Sequence, residues 1–487
     1  MASLEEIRKE RLKKLEVLRE RGIDPYPPET KRDREISAVL SDFENLAESK
    51  EAVTLAGRIM AVRSHGGSAF LDLYDGTGKI QGFLTEKDLS AAEFSAFSEL
   101  SDIGDFIELA GEAYLTKRGE KSIKASSWRM LGKSLRPLPE KWHGLKDDDE
   151  ILRKRYLDIL MNENSREVLE KKSLFFRTAR EFFEARGFLE VQTPTLEVTT
   201  GGAEATPFKT HINDYDLDVY LRISVGELWQ KRLMAAGIPK TYEIGRVYRN
   251  EGSSPEHAQE FTNVEFYASY MNFEEGKTLV RHLYQELAQK VFGTLKFGTR
   301  GHKFDLEGEW LELDYVEIIK KTAGVDVLED SEETLEKRLE ELGVEYQGEN
   351  RERMTDALWK YCRKSVSGPA FLVNHPKLVA PLSKTNPADA RKTKTFQVII
   401  AGSEIGRAHA ELNDPADQKE RFQEQEKLIK AGDKEAMMPD WDYVEAMEYG
   451  MPPTFGFGFG ERLFSYMADK TIREVQTFPL ARPKNKE

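Results

Sequence analysis

The sequence predicts an α+β fold: a small five-stranded β-barrel near the N-terminus, joined to a larger domain in which a mixed, mainly antiparallel sheet is flanked by helices. Three observations carry that prediction. Residues 52 to 133 break into five short β-type runs separated by Gly-rich turns. Beyond residue 150 the hydrophobic period switches repeatedly between that of a helix and that of a strand. The chain also has material for two or more cores, with 487 residues of which 39% are hydrophobic and 32% charged.

Residues 1 to 24 place Leu4, Ile7, Leu15 and Leu18 on a narrow apolar stripe among dense Lys, Arg and Glu. This predicts a helix ended by Gly22 and the Pro25 to Pro28 cluster, for which a solvated docking helix and an RNA-binding arm are both open readings. The five runs that follow are "AVTLAGRIMAVR", "SAFLDLYDGTG", "KIQGFLT", "GDFIELAGEAYLTKRG" and "EKSIKASSWRML". Five strands in about 80 residues suggest a barrel of the OB type. A Pro-rich then acidic stretch, "LRPLPEKWHGLKDDDE", reads as a linker. The expected boundaries are 1–45 for the helix and connector, 46–136 for the barrel, 137–150 for the linker and 151–487 for the second domain.

In that domain, helix 171 to 186 carries the stripe Leu174, Phe175, Ala179, Phe182 and Phe183, stops at Gly187 and feeds a strand, "FLEVQTPTL". Residues 217 to 224 alternate Leu217, Val219, Leu221 and Ile223 with polar residues, as a strand of an antiparallel sheet does. "DSEETLEKRLEELG" predicts a capped, Glu-rich helix, expected as a surface insertion. The single cysteine, Cys362, excludes an intrachain disulfide and a cysteine zinc cluster and reads as a packing residue. No apolar run reaches membrane-span length and the charged N-terminus lacks a signal peptide's apolar block, so a cytoplasmic protein with no membrane contact is expected. A net charge of −14 argues against a nonspecific nucleic-acid coat, but leaves room for a local basic strip on a phosphate backbone.

Chemistry concentrates in three stretches. In "GRVYRNEGSSPEHAQEFTNVEFYASY", strand alternation gathers Arg249, Glu251, Phe261, Glu265 and Tyr267 toward one surface, and leaves Val264, Phe266, Ala268 and Tyr270 for a core. "TFGFGFGERLF" puts Gly456, Gly458 and Gly460 on one strand face and three phenylalanines on the other, with Arg462 directly after; a glycine face lets a flat ligand lie against a sheet. "TFQVIIAGSEIGRAHAELNDP" supplies Glu404 and Glu411, read as flanking a turn; two carboxylates beside two arginines suit a magnesium nucleotide, while solvated surface acids are the plainer reading. No phosphate loop and no dinucleotide fingerprint is present, so a nucleotide would be held by arginines and a metal.

Together these stretches resemble the class II aminoacyl-tRNA synthetases, from about residue 50 to the end. "RGFLEVQTPTL" looks like the family's first motif, whose proline, here Pro194, lies at the dimer interface. "YRNEG" through "EFTNVEFY" looks like the second motif, and "GFGFGER" with "TIREVQTFPLARP" like the third. "GGAEATPF", "ISVGELWQKRL" and "EIGRAHAELNDPADQ" look like the lysine branch.

The resemblance implies a homodimer that uses ATP, L-lysine and tRNA(Lys), with Mg2+ as cofactor. It implies Arg249 and Arg462 on the α- and γ-phosphates as the catalytic pair, Phe261 stacked on adenine, Glu251 on the adenine amino group and His257 near the outer phosphates. Gly202 and Glu227 would meet the α-amino group, Glu265, Tyr267 and Glu411 the distal ammonium, and Glu404 with Glu411 the metal. Arg63, Phe70 and Gln81 would read a uridine-rich anticodon, with Lys117, Arg118, Lys121, Lys124, Arg129 and Lys133 adding charge for phosphates. Arg407 and His409 stand where the family usually shows Asn and an aromatic, and Gln397 where it shows a carboxylate; Arg407 is expected on the substrate α-carboxylate or a nearby phosphate. Three alternatives stay open: an aspartate or asparagine paralogue, a lysyl-transferring modifier of a translation factor, which would lack the barrel, and a non-catalytic RNA-binding protein on the same scaffold.

Overall fold

A computed structural model describes residues 3–139, 147–203, 205–346, 350–433 and 436–483, which divide into two compact units at residues 146 and 147. In the first unit, strands β1 (Ala52–His65), β2 (Ser68–Tyr74), β3 (Lys79–Thr85), β4 (Phe106–Leu115) and β5 (Lys121–Gly132) close a barrel in the order β1-β2-β3-β5-β4. Strict alternation in β1 to β3 turns Val53, Leu55, Ile59, Leu71, Leu73, Ile80 and Leu84 inward, so that every second residue is free to face solvent. The sequence reading has no counterpart for helix Ala91–Leu100, which is inserted between β3 and β4 and opened by a Ser90–Glu93 capping box.

Helix Leu4–Glu20 forms as expected and packs on its own unit: Leu18 is fully buried in the barrel's cluster, and the buried guanidinium of Arg11 donates to the carbonyls of Ile103, Ser134 and Arg136. The expected division at residue 45 does not separate two bodies, since Leu18, Ile36, Val39 and Phe43 share one cluster with the barrel strands. Of the expected linker, residues 140–146 lie outside the described residues, and Asp148–Arg153 is helical.

The second unit is built on an eight-stranded sheet. Its order is Leu311–Asp314, Ala370–Val373, Thr395–Ile400, Ser403–Ala410, Thr454–Gly460, Glu260–Ser269, Lys240–Tyr248 and Leu189–Glu190. Only the outermost pair at each edge is parallel. Helices Glu163–Glu184 and Phe273–Phe292 cover one face, where Phe175, Phe182 and Phe183 meet Val264, Phe266, Phe455, Phe457 and Phe459 in a continuous aromatic core. The opposite face is left to the site. Helix Glu163–Glu184 starts eight residues before the expected position 171, at the cap Asn162, and "FLEVQTPTL" yields two separate two-residue strands in place of one. Leu217–Leu221 is antiparallel, as expected, in a small three-stranded sheet.

Two core assignments change. Tyr270 falls one residue past the end of its strand at φ 65° and is exposed, because the chain turns there to open the next helix. The Glu-rich helix Glu332–Glu341 is no mere surface insertion: Leu335 and Leu339 are fully buried beside Ile319, Leu358 and Cys362, whose thiol packs as expected.

Candidate active site

The site is assembled from rows of side chains that run across the sheet. Antiparallel pairing sets partners side by side on one face. One row reads Glu243, Glu265, Gly458, Arg407 and Gln397; the next reads Thr241, Tyr267, Gly456, His409 and Thr395. Because Arg249 continues the odd-numbered register of its strand opposite Gln259, it shares this face with Phe261, Glu265 and Tyr267. These residues line a cavity of about 400 Å³ that also receives Gly202, Glu227, Glu251, His257, Glu404, Glu411 and Arg462, so every predicted nucleotide and amino-acid residue reaches one space.

The glycines set the depth of that space. A Cβ on Gly456 would lie 2.2 Å from Glu411 Oε1 and 2.5 Å from Tyr267 Cε1, and one on Gly460 would lie 2.8 Å from Asn263 Oδ1. Gly202, at φ 86°, would bring a Cβ within 2.6 Å of Glu227 Cβ. Its backbone therefore passes against the carboxylate as no side-chain-bearing residue could.

One end of the cavity is acidic. Glu265 is 5% exposed; its Oε1 accepts from Val225 N at 2.8 Å and Asn263 Nδ2 at 3.1 Å, and its Oε2 from Tyr267 Oη at 3.2 Å. Burial, reinforced by the charge of Glu227, pushes its pKa up to about 7 against those hydrogen bonds. The sequence reading missed Lys231, which occupies the middle of this end with no side-chain exposure. Its Nζ is 2.7 Å from Glu227 Oε1 and 2.5 Å from Glu411 Oε2. Burial lowers the Lys231 pKa, and the two carboxylates more than reverse that and hold it raised. The signal was the four-residue spacing of Glu227 and Lys231 on one helix.

The other end is basic. Arg249 lies with Cζ 5.3 Å from the Phe261 ring centroid and at 3.4 Å from the Ile223 carbonyl, while Arg462 Nη1 donates to the Glu404 carbonyl at 3.3 Å. His257 Nδ1 sits 2.7 Å from Ser254 Oγ. The residue is exposed, yet desolvation and then the guanidinium of Arg462 lower its pKa to about 4, so it stays neutral at pH 7.

Arg407, expected on the substrate carboxylate, donates from Nη2 to the Val379 carbonyl and leaves Nε buried without a partner. The imidazole of His409, 3.0 Å from Thr395 Oγ1, is held well below its ordinary pKa by burial and by Arg407.

The expected turn between Glu404 and Glu411 is corrected. Glu404 and Glu411 do not flank a turn; they stand at the two ends of strand Ser403–Ala410, on the order of 20 Å apart along the backbone. Glu404 already accepts from Trp359 Nε1 at 2.6 Å and Gln397 Nε2 at 3.0 Å, and Glu411 is the partner of Lys231. No group of three or more metal-binding side chains occurs among the described residues.

On the barrel, Arg63 and Phe70 are direct cross-strand partners, and Phe70 faces Phe83 with ring centroids 4.6 Å apart and planes at 20°. Phe83 in turn stacks toward Tyr114 at 6.1 Å. Gln81, two residues before Phe83 on the same face, accepts from Ser122 Oγ at 3.0 Å. Phe83 and Tyr114, absent from the sequence reading, extend the row, and the alternation of "KIQGFLT" already placed Phe83 beside Gln81. Lys133 leaves the basic strip: its Nζ is buried 2.8 Å from Asp105 Oδ2 and 2.5 Å from Asp102 Oδ2. Lys124 and Arg129 are engaged by Asp88 and Glu108 at 2.8 and 2.9 Å.

The comparisons agree with this geometry. Residues 147–482 match the family model described as tRNA synthetases class II (D, K and N), and residues 53–131 match the OB-fold nucleic acid binding domain. The chain is 41% identical to the Lysine--tRNA ligase of Thermotoga maritima, covering 99% of this chain and 97% of that one. It is 41% identical to the Lysine--tRNA ligase of a Roseiflexus species over 99% and 100%, and 42% identical to that of a Thermoanaerobacter species over 99% and 97%. With its catalytic domain and barrel both matched and its whole length shared with such relatives, the chain belongs to the class II tRNA synthetases of the D, K and N group.

Proposed function

We propose that the protein activates L-lysine with ATP to lysyl-adenylate and transfers the lysyl group to the 3' end of tRNA(Lys). The observation that carries this reading is the polarity of the one cavity, with buried Glu227, Glu265 and Glu411 at one end and Arg249 and Arg462 beside an open Phe261 ring at the other. A carboxylate oxygen of lysine attacks the α-phosphorus and pyrophosphate leaves; a terminal ribose hydroxyl of the tRNA then attacks the acyl carbon and AMP leaves. No general base is needed for the first step, because the nucleophile is already an anion, and the protein's work is positioning and charge stabilisation.

On this reading Arg249 binds the α-phosphate and Arg462 the γ-phosphate, with His257 near the outer phosphates, Phe261 against adenine and Glu251 on its amino group. Glu227 Oε2, the oxygen that faces Gly202, takes the α-amino group, and Glu265, Tyr267 and the free side of Glu411 take the distal ammonium. Three carboxylates then balance three ammonium groups, two from the substrate and one from Lys231. Glu404, at the arginine end, and Glu411 would hold magnesium, which would neutralise charge on the phosphates of ATP. Arg63, Phe70 and Gln81 read the anticodon, with Phe83 and Tyr114 as further stacking surfaces. A homodimer is supported by the exposed Leu189, Leu196 and Val198 around Pro194.

A charging enzyme for aspartate or asparagine is the second reading, favoured by the two cations Lys231 and Arg407 at the cavity wall. Amino-acid-dependent exchange of pyrophosphate into ATP, run across the twenty amino acids, decides between them. Lysine alone should support strong exchange; stronger exchange with aspartate or asparagine overturns the lysine assignment.

A further inference from the structure

The cavity carries more positive charge than the two expected phosphate arginines supply. Among the described residues, Arg249, Arg363, Arg407 and Arg462 line it with no carboxylate within 4.0 Å, whereas Arg353 at its margin is held by Asp433 at 3.0 Å. A half-buried guanidinium with no carboxylate in ion-pair contact keeps its donors available for an anionic ligand, so a set of them in one cavity suits an anion.

Arg363 is the member with no assigned task. It opens the short turn that follows helix Arg351–Cys362, and among the described residues the one side-chain hydrogen bond it makes is Nη1 to Ser403 Oγ at 3.3 Å, while Nε is buried without a partner. Ser403 Oγ itself donates to Glu256 Oε2 at 2.9 Å, and Glu256 pairs with Arg300 at 3.4 Å, so that carboxylate is already engaged. Arg363 lies in the basic end: it and Arg462 both contribute to keeping His257 neutral. The metal side of this end is thin. The amide of Gln397 and the indole of Trp359 occupy both oxygens of Glu404, and Gln397 brings no charge of its own.

We propose, on the footing of the nucleotide reading above, that Arg363 binds the outer phosphates of ATP together with Arg462, and that its guanidinium supplies charge which a second carboxylate-held metal ion would otherwise bring. A planar guanidinium suits two oxygens of a terminal phosphate, and its reach from a turn beside strand Ser403–Ala410 places it at the Glu404 end of the cavity. The interaction is made with phosphates that AMP lacks.

Equilibrium binding of a nonhydrolysable ATP analogue and of AMP to the full chain, for the parent and for Arg363→Met and Arg363→Lys, tests the assignment. Arg363→Met should weaken the ATP analogue by about tenfold or more and leave AMP within about twofold, with Arg363→Lys between the two. A magnesium titration of analogue binding should show a steeper requirement in Arg363→Met than in the parent. Unchanged binding of the analogue to Arg363→Met overturns the proposal, as does an equal loss for analogue and AMP, which would mark Arg363 as a packing residue. A parent chain that binds neither ligand overturns the nucleotide reading itself, and this assignment with it.

Discussion

Glu265 shows how a single residue couples burial to recognition. With its pKa pushed up to about 7, the carboxyl is largely protonated at pH 6 and ionised at pH 8 before substrate binds. A substrate ammonium needs the ionised form, so binding below pH 7 must expel a proton. The KM for lysine should therefore rise as pH falls from 8 to 6, approaching about tenfold per unit at the acid end, while the KM for ATP stays flatter. The same shift acts on the fold with opposite sign: a carboxyl raised from 4.5 costs stability progressively as pH climbs from about 4.5 to 7. Glu265→Gln keeps the volume and removes the charge. It should weaken lysine use by about 3 to 5 kcal/mol and leave binding of an ATP analogue intact. Lysine activation equal to the parent would show that this carboxylate does not meet the ammonium. Arg407→Ala is the companion test, expected to raise the lysine or ATP requirement; unchanged kinetics would place the guanidinium outside the reaction.

At the scale of elements, the glycine strand and the barrel face each turn alternation into a surface. Gly456→Ala would force a methyl group against Glu411 and Tyr267, where the contact would be 2.2 Å, so lysine-dependent exchange should fall far more than binding of an ATP analogue. Gly458→Ala meets the Glu265 side chain, nearest at Cγ at 3.0 Å, and should be the milder change. On the barrel, Phe70→Ala removes a ring already stacked parallel to Phe83. tRNA charging should lose about 1 to 3 kcal/mol while lysyl-adenylate formation is spared. Equal loss in both half reactions would assign Phe70 to folding.

For the molecule as a whole, the two units hold separate cores, one around the barrel strands and one around the aromatic face of the large sheet. Damage to one core should stay with its unit. Leu109→Ala, at a fully buried barrel position, should destabilise the barrel by about 2 to 5 kcal/mol, read by calorimetry, and leave lysine-dependent pyrophosphate exchange at 25 °C unchanged. A parallel loss of exchange would mean that the barrel supports the catalytic unit directly.

Much of this was legible from residue order because it is local. Period-two alternation determined the five barrel strands, the phenylalanine and glycine faces of Thr454–Gly460, and the side of the return strand that carries Phe261, Glu265 and Tyr267, since a strand's faces follow from its own residues. What lay beyond it depends on which residues meet across the fold. The helix Glu332–Glu341 reads as a solvated insertion until Leu335 and Leu339 are seen under Tyr315 and Leu358. Glu404 and Glu411 read as neighbours across a turn until a strand separates them and Lys231, from a helix 180 positions earlier, takes Glu411 as its partner. Ion pairing at that range is decided by which elements the hydrophobic core brings together, and the charges then settle among whatever neighbours that packing supplies.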